Sequence, residues 1–291
     1  LQTAFLYTVT VLIWGTSWLA IKYQLGAVNP LVSVAHRMAL AALFCALLTA
    51  LARGFVRIGA ADHLRIFAQA LCLFSGNYLL IYAATAELST GLVAVVFSTM
   101  VILNALGGAL FTGVPLRAAV LVGGFLGLIG MAVLFYPELR TPGWSDARLQ
   151  GLGLCFLGTV CASAGNLIAA TNLRRGIPVL TVNSWGMAYG AIALYLVAMV
   201  LGVPITVSRE PDYLLSLAYL AFFATVLAFW AYLSLLGRIG ADRAAYTTLI
   251  FPVVALIVSS FFEDYRWSVW SLAGLLLVLA GNWLALRGNR G

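Results

Sequence analysis

Residues 88–111 read LSTGLVAVVFSTMVILNALGGALF, twenty-four positions without one charged side chain. About 20 apolar residues in a helix cross the hydrocarbon layer of a bilayer, so this stretch reads as a membrane span. The rest of the chain repeats the pattern. Of its 291 residues 63% are hydrophobic and only 9% charged, whereas a soluble domain carries about 25% charge. The net charge of +7 comes from sixteen basic residues spread along the chain, which makes no patch for nucleic acid. The composition therefore predicts an all-α integral membrane protein whose partners are the lipid bilayer and a small molecule, with no nucleic acid among them.

Outward from 88–111, polar, proline and glycine punctuation marks off ten spans: 3–21, 30–52, 64–84, 88–111, 117–135, 151–172, 179–203, 213–235, 242–262 and 267–286. The third and fourth are parted only by Ala86-Glu87-Leu88, which reads as a broken hairpin. Loops on the N-terminal side, with the C-terminal tail, hold ten of the sixteen Lys and Arg residues. The opposite side holds five, and Arg37 lies inside the second span. By the positive-inside rule both termini are cytoplasmic. The chain begins at Leu1, so native residues before it are expected to be missing.

The same stretch also carries an internal repeat. At a constant offset of 151, Leu88 falls on Ile239, Ala94 on Ala245, Thr112 on Glu263, Gly123 on Gly274 and Gly130 on Gly281. Earlier, Gly15-Thr16 falls on Gly158-Thr159, and Pro30-x-x-Ser33-Val34 on Pro178-x-x-Thr181-Val182. Each half has five spans, an odd number, so the second half enters the membrane in the opposite sense. Inverted-topology repeats of this kind build alternating-access transporters with a site between the halves. The expected organisation is a first repeat over 1–136, a linker over 137–150 and a second repeat over 151–291. The first four helices of each half should enclose the cavity. The glycines at 123, 124, 127, 130, 274 and 281 should let the fifth and tenth spans pack closely.

Candidate pathway residues are the polar and aromatic side chains stranded in apolar helices, each of which either packs or lines a cavity. Trp14 and Ser17, three apart, share a face of the first span. Asn77, Tyr78, Tyr82 and Thr85 cluster in the third, with Tyr78, Tyr82 and Thr85 on one stripe. Asn104, Asn166, Trp185 and Tyr246 are further candidates in the fourth, sixth, seventh and ninth spans. Pro252 removes a helical hydrogen bond in the ninth, and the break beside Glu87 is a second bending point. Arg37 lies seven residues after Pro30, about 10 Å in from the outer end. It either snorkels outward or holds a substrate carboxylate.

Absences narrow the chemistry. Cys45, Cys72, Cys155 and Cys161 sit in apolar runs, and His36 and His63 have no ligand spacing to them, so neither metal nor other cofactor is expected. Neither G-x-S-x-G nor H-E-x-x-H occurs, which argues against an intramembrane enzyme. None of the nine carboxylates falls in the middle of a span. A proton-driven pump needs such a group, so facilitative movement is the simpler expectation, with His36 the remaining group able to titrate.

Two five-helix repeats, Trp14-Gly15-Thr16-Ser17-Trp18 in the first span, and Phe251-Pro252 followed by Glu263, Gly274 and Gly281 resemble the EamA-like branch of the drug/metabolite transporter superfamily. The resemblance covers nearly the whole chain. It departs at Val101, where proline is common, and at Thr112, where an acidic residue is common. Those departures bear on kink placement in the first half and not on the fold. The aromatic richness resembles the bacterial aromatic amino acid exporters of that superfamily. The resemblance implies a bacterial inner-membrane exporter of small amphipathic metabolites, chiefly amino acids with aromatic or bulky apolar side chains. Efflux of aromatic or quaternary-ammonium drugs is the alternative. Trp14→Ala, Tyr78→Ala and Tyr82→Ala are expected to lower transport and leave insertion intact.

Overall fold

A computed structural model of the chain describes all residues except 25, 27, 53, 55, 86, 89, 114, 141–144, 263–266 and 288–291. The side chain of Trp18, that of Thr112, and residues Glu263 and Asp264 lie outside what is described. Among the described residues eight helices are long and apolar enough to cross a membrane. In chain order they are α1 (Gln2–Ile21), α2 (Pro30–Leu51), α3 (Ala60–Thr85), α4 (Leu92–Phe111), α6 (Asp146–Arg174), α7 (Val179–Val200), α8 (Pro211–Ile239) and α9 (Ala241–Phe262). Two shorter apolar helices, α5 (Ala118–Leu134) and α10 (Val269–Ala285), complete the set.

Helix starts follow local chemistry. Asn29 accepts the Leu31 N–H at 3.0 Å ahead of Pro30, which needs no partner for its nitrogen at the first helical position. Ser145 caps α6 by accepting the Arg148 N–H at 3.3 Å. Asp146, Arg148 and Gln150 are polar and read as loop, but they form the first turn and a half of α6, and residues Tyr136–Leu139 form a short helix of their own. Between α8 and α9 the chain turns at Gly240, whose φ of +90° suits glycine and strains other residues.

Two backbone irregularities coincide with the repeat. A π-helical turn interrupts α3 at Leu71–Gly76, and another interrupts α8 at Phe222–Leu227. They are 151 residues apart, the offset at which the sequence matches itself. The helix pairs are also related. Helices α2 and α7 run antiparallel, with Cys45 Sγ 3.9 Å from Met187 Sδ and Thr49 Oγ1 3.1 Å from Ser184 Oγ. Helices α5 and α10 run antiparallel too, with Gly123 against Gly281 and Gly130 against Gly274. The first helix of each half packs on the other half: α1 on α8 and α9, and α6 on α3 and α4.

Two apolar cores are the largest of those that result. The larger joins α1, α2, α3, α6, α7 and α8 around Met38, Phe74, Met187, Phe229 and Tyr232. The smaller joins α4, α5, α9 and α10 around Met131, Tyr246 and Leu249. Exposed rows such as Leu43, Leu47 and Leu51 on α2, and Leu272, Leu276 and Leu279 on α10, suit lipid as the solvent.

One polar network ties the ends of four helices. Asn282 donates to the Tyr7 hydroxyl at 2.6 Å and to the Tyr246 carbonyl at 3.1 Å, and the Tyr246 hydroxyl donates to the Val120 carbonyl. Asn282→Ala takes the donor from the Tyr7 hydroxyl and one of the bonds from the Tyr246 carbonyl, which keeps the Leu249 N–H. A loss of roughly 1–3 kcal/mol is expected, read as a lower unfolding midpoint in detergent. An unchanged midpoint would show that the network carries no stability.

Candidate functional site

The candidate site is built on the π turn of α8. There the Ala228 N–H goes to Phe223 O and Thr225 O, passing over Ala224, the residue four before it. The Ala224 carbonyl instead accepts from Trp14 Nε1 at 3.1 Å and from Arg37 Nη2 at 3.3 Å. Arg37 Nε donates to Thr225 Oγ1 at 2.7 Å, and Thr225 Oγ1 donates to Leu220 O, five residues back, as a widened turn permits. A widened turn in one half thus gathers an indole and a guanidinium from the other.

Aromatic rings surround this point. The Trp14 indole meets Phe229 at 5.3 Å, Tyr232 at 5.1 Å and Phe251 at 6.2 Å between ring centroids, and Phe229 meets Phe74 at 4.9 Å. These separations and the edge-to-face tilts of three of the four pairs are those of favourable aromatic pairs. Gly15 lets α1 and α9 approach this closely, since a Cβ there would lie 2.5 Å from Val254 Cβ. Pro252, inside α9 next to Phe251, removes the N–H that would reach Thr248 O. The Tyr78 ring lies under the Arg37 guanidinium, 5.6 Å from its centroid, and Tyr82 is one turn further along α3.

Arg37 is 5% exposed, and its direction can be read from the helices beside it. Helices α2 and α8 run side by side in the same direction, matched where the Ser33 hydroxyl meets Tyr213 at 3.1 Å and where Phe44 meets Phe222 at 5.5 Å. From that first contact Arg37 is four residues on, about 6 Å, whereas Ala224 and Thr225 are eleven and twelve residues on, about 17 Å. The side chain therefore runs along α8, away from the Ser33–Tyr213 contact.

The remaining sequence candidates divide. Asn166, 1% exposed, donates to Met100 Sδ at 3.2 Å, lies beside the Tyr232 hydroxyl, and leaves its Oδ1 unpaired. Asn77 is 8% exposed and its Oδ1 also has no partner. Ser17 bonds back to Trp14 O at 2.8 Å. Asn104 donates to Ala241 O at 2.9 Å, which ties α4 to the start of α9. Tyr246 is fully buried in the smaller core. Trp185 stands apart, 37% exposed, with its ring 4.8 Å from His63 and stacked on Tyr189 at 5.9 Å. Its neighbours Asn183 and Ser184 point inward, and one helical position turns a side chain by about 100°. Glu87 lies exposed in the turn after α3, beside Gly151. His36 bonds Val32 O at 2.6 Å and meets Tyr195, away from the aromatic group.

A cavity of about 370 Å³ opens toward the α8–α9 turn, lined by Asn104, Arg174, Leu233, Ser234, Gly237 and Asp242. Tyr232, in the aromatic group, is the chain neighbour of the lining residue Leu233, but Trp14, Phe229, Tyr232 and Phe251 themselves do not line the cavity. Sequence reasoning missed Ala224, Thr225, Tyr232 and Asn282. A π turn has no residue signature, and the 151 offset was the one available pointer to it.

An all-helical membrane bundle with a polar-and-aromatic centre and a cavity at one end has the architecture of a small-molecule transporter. The model of the EamA-like transporter family matches twice, over residues 2–136 and 149–287, and the chain belongs to that family. It is similar to an "Uncharacterized transporter" of Archaeoglobus fulgidus, 25% identical over 96% of both chains. It is also similar to a "Probable amino-acid metabolite efflux pump" of Escherichia coli K12, 26% identical over 96% of this chain and 93% of that one. The "Uncharacterized inner membrane transporter YedA" of the same strain is 25% identical over 86% of this chain and 79% of its own length. A solved crystal structure shares the fold with a TM-score of 0.80 over 97% of this chain and 96% of its own, at 19% identity. The chain is a multi-pass membrane transporter and not an enzyme.

Proposed function

We propose that this transporter exports amino acids with aromatic or bulky apolar side chains across the bacterial inner membrane by alternating access. The observation that carries the reading is the group of Trp14, Phe229, Tyr232 and Phe251, drawn from both halves of the chain and gathered at one turn of α8. Rings of this kind stack on an apolar side chain and attract an ammonium group. The amino-acid metabolite efflux in the name of the relative from Escherichia coli, and the inner membrane in that of YedA, agree with it.

In this reading all ten apolar helices span the membrane as two inverted repeats, 1–136 and 151–291, joined through 137–150, with both termini cytoplasmic. Antiparallel α2/α7 and α5/α10 pairs, two π turns 151 residues apart and two family matches support it. The cavity then faces the cytoplasm and receives substrate there. Trp14, Ser17, Asn77, Tyr78, Tyr82 and Asn166 line the route beyond it, with Asn104 at its mouth, and the chain bends beside Glu87 and at Pro252.

Counterflow of labelled Phe, Trp and Met into proteoliposomes tests this. Flux of all three that is indifferent to an imposed pH gradient is expected, because no carboxylate among the described residues sits in the aromatic group. Tyr78→Ala and Tyr82→Ala should each reduce it by about tenfold, the worth of one aromatic pair. Flux of aromatic cations without amino-acid flux would transfer the assignment to drug efflux.

A further inference from the structure

Arg37 carries a guanidinium cation, and it is held 5% exposed inside the membrane-spanning bundle. The two bonds it makes are to neutral oxygens, Thr225 Oγ1 and Ala224 O. Neutral acceptors orient a charge without cancelling it. Among the described residues the ion pairs are Asp62 with Arg65 and Asp62 with Arg175, at the far end of α3. The Tyr78 ring covers one face of the guanidinium. Nε and one edge of Nη2 are committed to α8, which leaves the Nη1–Nη2 end of the fork for another acceptor. A buried cation that keeps its charge calls for an anion. Two oxygens across the end of a guanidinium is the geometry that carboxylates supply.

We infer that Arg37 is the carboxylate anchor of this site, and that its substrates are therefore acids with an apolar tail, the ring group taking the tail and Arg37 the carboxylate. This rests on the pathway proposed above. It also separates the two functional readings by charge. The fixed guanidinium repels an organic cation whose rings would otherwise suit Trp14 and Tyr78. Thr225 is the positioning residue: it holds Nε so that the opposite end of the fork points away from α8.

The test measures binding to the purified full chain by ligand-induced shifts of the unfolding midpoint, with probes in acid–amide pairs. Phenylalanine is set against phenylalaninamide, hydrocinnamate against hydrocinnamamide, and leucine against leucinamide. Each acid is expected to bind at least about tenfold more tightly than its amide, the difference a charge-assisted pair makes. In Arg37→Gln the acids should fall to the level of the amides, the amides should be unchanged, and Arg37→Lys should recover part of the preference. The wild-type ratio reads the anchor even if the Gln variant does not fold. Equal binding of acid and amide to the wild type overturns the anchor, and so does an unchanged ratio in a folded Arg37→Gln. A preference for acids that ignores the tail leaves the anchor standing and removes the aromatic and bulky-apolar specificity. Preference for a bulky tail with no acid preference does the reverse.

Discussion

Gly274→Leu is expected to yield little folded protein. At Gly274 the backbones of α5 and α10 are in contact: a Cβ would lie 2.4 Å from Leu134 N and 2.6 Å from Gly130 O. Neither atom is the end of a flexible side chain, so relief requires moving a helix. Overpacking of this kind belongs at the upper end of its usual range, about 3 kcal/mol or more, and the four glycines at 123, 130, 274 and 281 share one seam. The measurement is the monodisperse fraction after solubilisation and the unfolding midpoint of what survives. Gly153→Ala is the matched control, because it lies exposed in α6 with nothing within 4 Å of its Cβ position. It should gain up to about 1 kcal/mol from helix propensity alone. A Gly274→Leu protein with the wild-type midpoint would mean that α5 and α10 are not packed as described.

Trp14→Ala should abolish counterflow. The indole is the shared neighbour of Phe229, Tyr232 and Phe251, and its N–H takes the Ala224 carbonyl. Deleting it opens a ring-sized hole at the centre, at about 3–5 kcal/mol. Insertion continues, because the first span stays apolar without it, but the packed state loses stability as well as its pathway wall. Trp14→Phe separates the two effects. It keeps a ring and loses one hydrogen bond, about 1 kcal/mol, and should retain measurable flux. Initial rates normalised to protein in the liposomes decide it. Wild-type flux in Trp14→Ala would remove the aromatic group from the pathway.

How far the molecule could be read in advance depended on the kind of signal. The spans were legible because 88–111 carries no charge and its counterparts carry very little, and a bilayer enforces that scarcity. Trp14, Tyr78 and Arg37 stood out because a polar or aromatic group in such a helix is conspicuous, and the structure brings all three to one turn of α8. The start of α6 was not legible, because its polar first turns extend past the apolar stretch and look like loop. Trp185 was conspicuous as an aromatic ring in the seventh span, yet a single position on α7 separates the inward face of Ser184 from the outward face of Trp185. Thr225 and Ala224 gave no sign, since their role follows from which backbone carbonyl a helix passes over.

The π turns have a further consequence for both helices that contain them. Each inserts one residue beyond the α-helical count, and one residue is about 100° of rotation. The two ends of α3 are therefore out of phase, as are the two ends of α8. A helical wheel drawn through the whole of α3 would smear its faces together and misdirect Tyr78 and Tyr82 relative to Gln69 and Ile66. With the phase reset at Leu71–Gly76, one end of α3 turns Gln69 toward Asn172 of α6 and the other turns Tyr78 toward Arg37 of α2. One helix thus presents differently aimed faces to two neighbours, without a proline.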